Sequence, residues 1–313
     1  MGGLTPAGDG AGGRPVLVML AAGVARRYGG CKPLAPVGLH GEAVIDLNAG
    51  DAQRGGFGEI VLILGPATGP AVAYHVEKCW PRSVAVSVVH QAIALGTAHA
   101  VLGAEELIGG RSFAVVNADD IYGVPALELL AGHLRTSTDH ALVSYQLGGT
   151  VVTSDPLTRG ICETDDEGWL RTLVERRQVT RHQDGTITAD DGLEPSELPG
   201  DTPTSMNLWG FTSAIWPFLH DAVNEVHPDL APDGSVLGDG PASKAEVLLP
   251  EVVGAMVRGA SATDAHNRRV RVLPGTGRCI GVTHADDVPV VRMELAEMVG
   301  QGLRAEGLWG TGS

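Results

Sequence analysis

Five short apolar runs alternate with segments of helical periodicity, and this alternation admits few folds. The runs are PVLVMLAAG (15–23), EIVLILG (59–65), SVAVSVVHQ (83–91), FAVVNADD (113–120) and ALVSYQL (141–147). Each has the length and branched side chains of a strand buried on both faces. Between them, AVIDLNAGDAQRGG (43–56), TAHAVLGAEELI (97–108) and PALELLAGHLR (125–135) read as amphipathic helices. Strands alternating with helices predict an α/β fold: an open, mainly parallel, doubly wound sheet with helices on both faces. No repeat recurs at a fixed period, and no run approaches the ~20 apolar residues of a membrane span.

The second half reads differently. TRGICETDDEGWLRTLVERRQVT (158–180) predicts a hairpin turning at Asp166-Glu167-Gly168. RHQDGTITADDGLEPSELPGDTP (181–203) has the polar, turn-rich pattern of a long flexible loop. SMNLWGFTSAIW (205–216) reads as a strand and HPDLAPDGSVLGDGPAS (227–243) as a loop. KAEVLLPEVVGAMV (244–257) is helical, RRVRVLPG (268–275) a strand and VPVVRMELAEMVGQGL (288–303) a closing helix. The expected organisation is a disordered tail over 1–14, one domain over 15–290 with halves 15–150 and 151–290, and a C-terminal helix and tail over 291–313.

Charge narrows the ligands. Lysine plus arginine number 22 against 37 aspartate plus glutamate, a net charge of −15. Such a chain is expected to bind neither nucleic acid nor an anionic membrane. Aromatic residues, at 4%, offer no stacking surface for single strands. A phosphate ligand has to be met locally, by a few cations or a metal. Cys31, Cys79, Cys162 and Cys279 form no CxxC pair, and the N-terminal residues lack the pattern of a signal peptide. Reduced thiols and a cytoplasmic location are expected.

One segment meets the phosphate requirement. In LAAGVARRYGGCKP (20–33) a buried strand opens into a glycine-rich loop carrying Arg27 and Lys32. Backbone N–H groups of such a loop approach phosphate oxygens closely, while two cations neutralise a triphosphate. An ordinary strand-to-helix turn is the other reading of the same residues. The segment has neither the GKS/T of a Walker A loop nor a GxGxxG fingerprint.

This segment resembles the L-A-A-G-x-G-x-R-x-G-x-x-K signature of the sugar-phosphate nucleotidylyltransferases, the NDP-sugar pyrophosphorylases, with Ala25 at the second glycine. HQAIALGTAHAV (90–101) resembles that family's nucleobase segment and VVNADDIYG (115–123) its strand-end aspartate motif. LVERR (173–177) resembles its V/E-E-K-P segment, and SMNLWGF (205–211) and KAEVLLPEVV (244–253) later elements of one bacterial branch. The resemblance spans residues 15–290 and implies a Rossmann-like, GT-A-like sheet. It implies Mg²⁺-dependent transfer of a nucleotidyl group from an NTP to a sugar 1-phosphate, releasing pyrophosphate.

The resemblance also implies roles. Leu20, Ala21, Ala22 and Gly23, with Gln91, Gly96, Thr97 and Ala98, would bind the nucleotide, Thr97 as a helix N-cap. Arg27, Lys32 and Asp119 would serve catalysis, Asp119 also holding the metal. The family's second metal aspartate lies in a late W-x-D-x-G stretch. Here CIGVTHADDVP (279–289) places Gly281 or a neighbour there; Asp286 or Asp287 is expected to take that role, the alternative being a metal held by Asp119 and the phosphates alone. Gly160, Glu175, Arg176 and Asn207 would bind the acceptor. Trp209 reads as core. A cytidylyl- or guanylyltransferase acting on a phospho-alcohol or cyclitol phosphate would share the first half. A non-catalytic nucleotide-sensing module would share the fold. Gln91 leans towards UTP or dTTP; the acceptor and homo-oligomer formation stay open.

Overall fold

The structure, a computed structural model, describes residues 13–23, 29–151, 155–230, 245–259, 265–282 and 284–309. Its strands are β1 (Val16–Ala21), β2 (Glu59–Leu64), β3 (Val86–His90), β4 (Phe113–Asn117), β5 (Asp120–Ile121) and β6 (His140–Gln146), followed by β7 (Leu157–Thr164), β8 (Leu170–Arg181), β9 (Ile187–Ala189), β10 (Pro203–Phe211), β11 (Val270–Pro274) and β12 (Ile280–Gly281). Its helices are α1 (Val44–Gly55), α2 (Gly69–Cys79), α3 (Thr97–Leu102), α4 (Glu105–Ile108), α5 (Val124–Thr136), α6 (Leu147–Thr150), α7 (Trp216–Val226), α8 (Leu249–Arg258) and α9 (Val288–Gly300).

The sheet is mixed. Strands β3, β2, β1 and β4 lie side by side and parallel. Next to β4 runs β10, antiparallel to it and to β6, and β11 pairs parallel with β6. The first residues of β10 also pair with β7, which carries β8 and β9 away from the main sheet. Side-chain alternation along each strand feeds both faces. In β1, Leu17, Met19 and Ala21 join one core with α1, α2 and α5, while Val16 and Val18 join the other with α3, α7 and α8. Trp209 is wholly buried in the second core, as its sequence context predicts.

The expected alternation and hairpin are present, with β7 and β8 joined by a turn closed by a Gly168 N–H to Asp165 hydrogen bond. Several elements differ from expectation, among them the short strands β5 and β12. The stretch read as a flexible loop contains β9, which pairs with β8. Helices α2 and α7 were not expected. Both carry proline in their first turn, where its missing N–H costs nothing, as α5, α8 and α9 also do. The strand expected over 205–216 accordingly ends at Phe211. The expected 1–14 tail lies almost entirely outside the described residues.

The C-terminal residues return to α1. Arg304 makes two 2.8 Å hydrogen bonds to the Asp51 carboxylate, and both side chains are buried. Leu308 covers Gly50, where an added Cβ would lie 2.5 Å from its Cδ1. Trp309 packs on Trp80 at 5.9 Å. Helix α9 joins α1 and β12 in a third apolar cluster through Val291 and Leu295. Among the described residues, no helix is long and apolar enough to cross a membrane.

Candidate active site

Parallel pairing brings the C-terminal ends of β1, β2 and β4 to one edge, with Ala21 opposite Leu64 and Leu20 opposite Asn117. Such edges are where open α/β sheets bind ligands. The chain leaves β1 through Ala22 and Gly23. Gly65 lies so close that a Cβ on it would sit 2.6 Å from the Ala22 carbonyl oxygen. The Thr68 hydroxyl donates to the Ala21 carbonyl at 3.2 Å. Arg27 lies outside the described residues. Gly29, at a φ of +74°, begins the turn that returns the chain to Lys32. Lys32 Nζ then meets Asp119 Oδ2 at 2.7 Å, joining two expected site residues 87 positions apart.

The turn after β4 is held from several sides. Asn48 of α1 donates its Nδ2–H to the Asp120 carbonyl at 2.7 Å. Asn117 Nδ2 donates to Asp120 Oδ2 at 3.1 Å. The Tyr122 hydroxyl accepts the Asn117 N–H and donates to the Met206 carbonyl. Burial, with the adjacent Asp119 charge second, pushes the Asp120 carboxyl up to about 7. Arg159, whose guanidinium donates to oxygens of the neutral Thr150 and Thr158, acts on the Asp120 charge from β7.

Gln91 and the α3 turn form a second wall. Gln91 is buried, its backbone N–H donates to the Leu64 carbonyl, and its Nε2 donates to His99 Nδ1 at 3.0 Å. Burial first, then His227, lowers the His99 pKa. Gly96 has a φ of +96°, and any Cβ there would strike the Val247 backbone, so both conformation and space require glycine. The Ala98 N–H donates to the Val247 carbonyl at 3.0 Å. Thr97 is not the N-cap that the sequence suggested: Gly96 holds that position, and the Thr97 hydroxyl accepts the Leu249 N–H at 2.8 Å. Thr97 thus ties α3 to α8.

On the other side, Gly160 of β7 pairs directly with Glu175 of β8 and with Ser205 of β10. Glu175 is exposed, beside Arg177 at 2.8 Å. Arg176, one residue on, faces the opposite way with 4% of its side chain exposed. Its guanidinium holds both Asp191 oxygens at 2.8 and 3.1 Å and donates to the Leu193 and Pro195 carbonyls. The expectation that Arg176 meets a phosphorylated acceptor is corrected on this geometry: its hydrogen bonds fasten the loop before β10. Asn207 sits at a bulge in β10 with a φ of +60°, a conformation asparagine tolerates better than most residues. Its Oδ1 accepts from Trp209 Nε1 at 3.3 Å.

The arrangement offers hard oxygen donors at Asp119 and Asp120, chemistry suited to a divalent cation that keeps water and phosphate in its shell. A buried orphan nearby fits this use. Asn48 Oδ1 has no hydrogen-bond partner among the described residues, although its Nδ2 end is bonded to the Asp120 carbonyl. Asp286 lies exposed in a single 3-10 turn after β12. Asp287 Oδ2 accepts the His284 N–H at 2.7 Å. Among the described residues, no group of three or more His, Cys, Asp or Glu could hold a metal. Asn48, His99 and Arg159 escaped the sequence reading. The polar Asn48 inside the buried face of VIDLNAGDA was the one available signal for any of them.

The nucleotidyl transferase family model matches residues 21–184, just over half of the chain. No curated protein matches the chain. The structure is similar to that of UDP-glucose pyrophosphorylase complexed with UDP-glucose, with a TM-score of 0.56 and 14% identity over 91% of this chain and 99% of that one. It is also similar to a Bacillus anthracis structure, provisionally assigned as a glucose-1-phosphate thymidylyltransferase and solved with sucrose. That likeness has a TM-score of 0.60 and 12% identity over 89% of this chain and 94% of that one.

Proposed function

The chain belongs to the nucleotidyl transferase family, and on that premise we propose that it transfers a nucleotidyl group from an NTP to a sugar 1-phosphate. A phosphate oxygen of the acceptor attacks the α-phosphorus, and pyrophosphate leaves in line with the bonding electrons of the broken P–O bond. The acceptor is already a nucleophile, so the protein's work is positioning and charge stabilisation. The observation that carries this reading is the Lys32–Asp119 pair, which joins the turn that follows β1 to the residue just past β4, inside the matched segment. Lys32 donates to triphosphate oxygens, and the loop before it brings backbone N–H groups. Gln91 and the fixed Gly96 turn face the base. Gly160, Glu175 and Asn207 line the acceptor side.

Family members generally use a divalent metal. Mg²⁺ on Asp119 would neutralise charge on the phosphates when bound. The neighbours point to a uridine or thymidine triphosphate and a hexose 1-phosphate as first substrates to try. The four cysteines are unpaired, which favours a reducing, cytoplasmic setting. Pyrophosphate release from each NTP with a panel of sugar phosphates tests the reading. Lys32→Ala should lower kcat/KM by roughly 10²–10³. No release from any pair, or wild-type turnover by a folded Lys32→Ala chain, overturns it.

A further inference from the structure

The geometry around β12 reaches one residue further. We propose that Asp120 supplies the second carboxylate of the divalent-ion site beside Asp119, with Gly281 kept bare to seat it. This rests on the nucleotidyl transfer proposed above.

Strand β12 pairs antiparallel with β5 and puts Gly281 directly opposite Asp120. A Cβ built on Gly281 would lie 2.8 Å from Asp120 Oδ1. The Asp120 carboxylate therefore occupies the space that a side chain at 281 would need. A carboxylate can come from one strand or the other, and here it comes from β5. The expected alternatives are poorly placed: Asp286 is exposed, and Asp287 is engaged at the start of α9.

The second observation is Asn48. Its side chain is 1% exposed, with Nδ2 fixed on the Asp120 carbonyl and Oδ1 left without a partner among the described residues. A buried amide oxygen favours a donor. A water carried in the shell of a hard cation is such a donor, and Mg²⁺ characteristically keeps several waters while binding one or two carboxylates. On this assignment the hydrated side of the ion would lie at Asn48 and the carboxylate side at Asp119 and Asp120. Lys32 and Arg159 are the cations acting on Asp120.

Mn²⁺ alone, without nucleotide, is the probe, its free fraction followed by electron paramagnetic resonance. Asp120→Asn should weaken binding roughly 10–100-fold. Asp286→Asn should bind as the wild type does. Moving the carboxylate across the ladder, in Asp120→Ala/Gly281→Asp, should restore affinity relative to Asp120→Ala. Circular dichroism checks folding, and the double variant decides if Asp120→Asn does not fold. Wild-type affinity in Asp120→Asn, weakened binding in Asp286→Asn, or a double variant no better than Asp120→Ala overturns the assignment. A wild-type chain that shows this Mn²⁺ pattern but releases no pyrophosphate removes only the proposed reaction. One that releases pyrophosphate while Asp120→Asn keeps full Mn²⁺ affinity removes only the inference.

Discussion

Glu175 and Arg176 are adjacent in sequence and opposite in environment. Alternation along β8 turns the carboxylate outward and the guanidinium into the ion pair with Asp191. Glu175→Gln should therefore raise the acceptor KM roughly 10- to 150-fold and leave the NTP KM nearly unchanged. Gln91→Ala should do the reverse. A two-substrate kinetic matrix on both variants checks this, and equal effects on both substrates would mean that the two pockets are mapped wrongly. Lys32 and Asp119 were legible in the sequence because each lies in a contiguous pattern at a strand end. The fate of Arg176 was not, since its partner stands 15 residues away across a loop. Asn48 and Asp120 likewise meet over 72 residues, a separation that no local pattern encodes.

Among the elements, β6 buries six of its seven residues. It lies between β10 and β11, and His140 at its start is 1% exposed. Burial pushes the His140 pKa down to about 4, with Nδ1 accepting the Thr212 N–H at 3.3 Å. The folded value lies below the unfolded one of ~6.5, so this stability is present above pH ~6.5 and drains away as pH falls towards 4. The loss approaches about 3 kcal/mol by pH 4, because a tenfold change in proton affinity between the folded and unfolded chain is worth ~1.4 kcal/mol. Urea unfolding at pH 7.5 and at pH 4 should show that loss in the wild type and a smaller one in His140→Gln. Equal losses would assign the proton uptake elsewhere. The central strands were legible as continuous apolar runs, and the β7–β8 hairpin by its Asp166-Glu167-Gly168 turn. Helices α2 and α7 were hidden because they bury only Gly69, Val72 and Val76, and Trp216, Leu219 and Val223, stripes too short to stand out from the flanking segments.

At the scale of the whole molecule, the sheet class was legible, whereas the two joins that complete it were not. One is β10, which serves the main sheet along its length and the β7–β9 extension at its start. The other is the return of the C-terminal residues to α1, built on a pair with 0% and 6% of its side chains exposed. Arg304→Ala should destabilise the chain by ~3–5 kcal/mol, because it removes the bidentate partner of the buried Asp51 carboxylate and leaves only Arg54 acting on it. Replacing both partners with apolar residues, as in Asp51→Leu/Arg304→Met, should cost much less. Denaturant unfolding of the single and double variants measures the difference; equal costs would mean that the pair is not coupled. This long-range pair also orders events during synthesis. Asp51 is made 253 residues before Arg304. At ribosomal speeds of ~5–20 residues per second, roughly 10–50 s separate the two. Through that interval the Asp51 carboxylate lacks its bidentate partner and has only Arg54 of α1 acting on it, so the packing of α1 is completed late. Nascent chains halted before Arg304 should stay protease-sensitive around α1, and protection should arrive only when the residues after α9 have emerged.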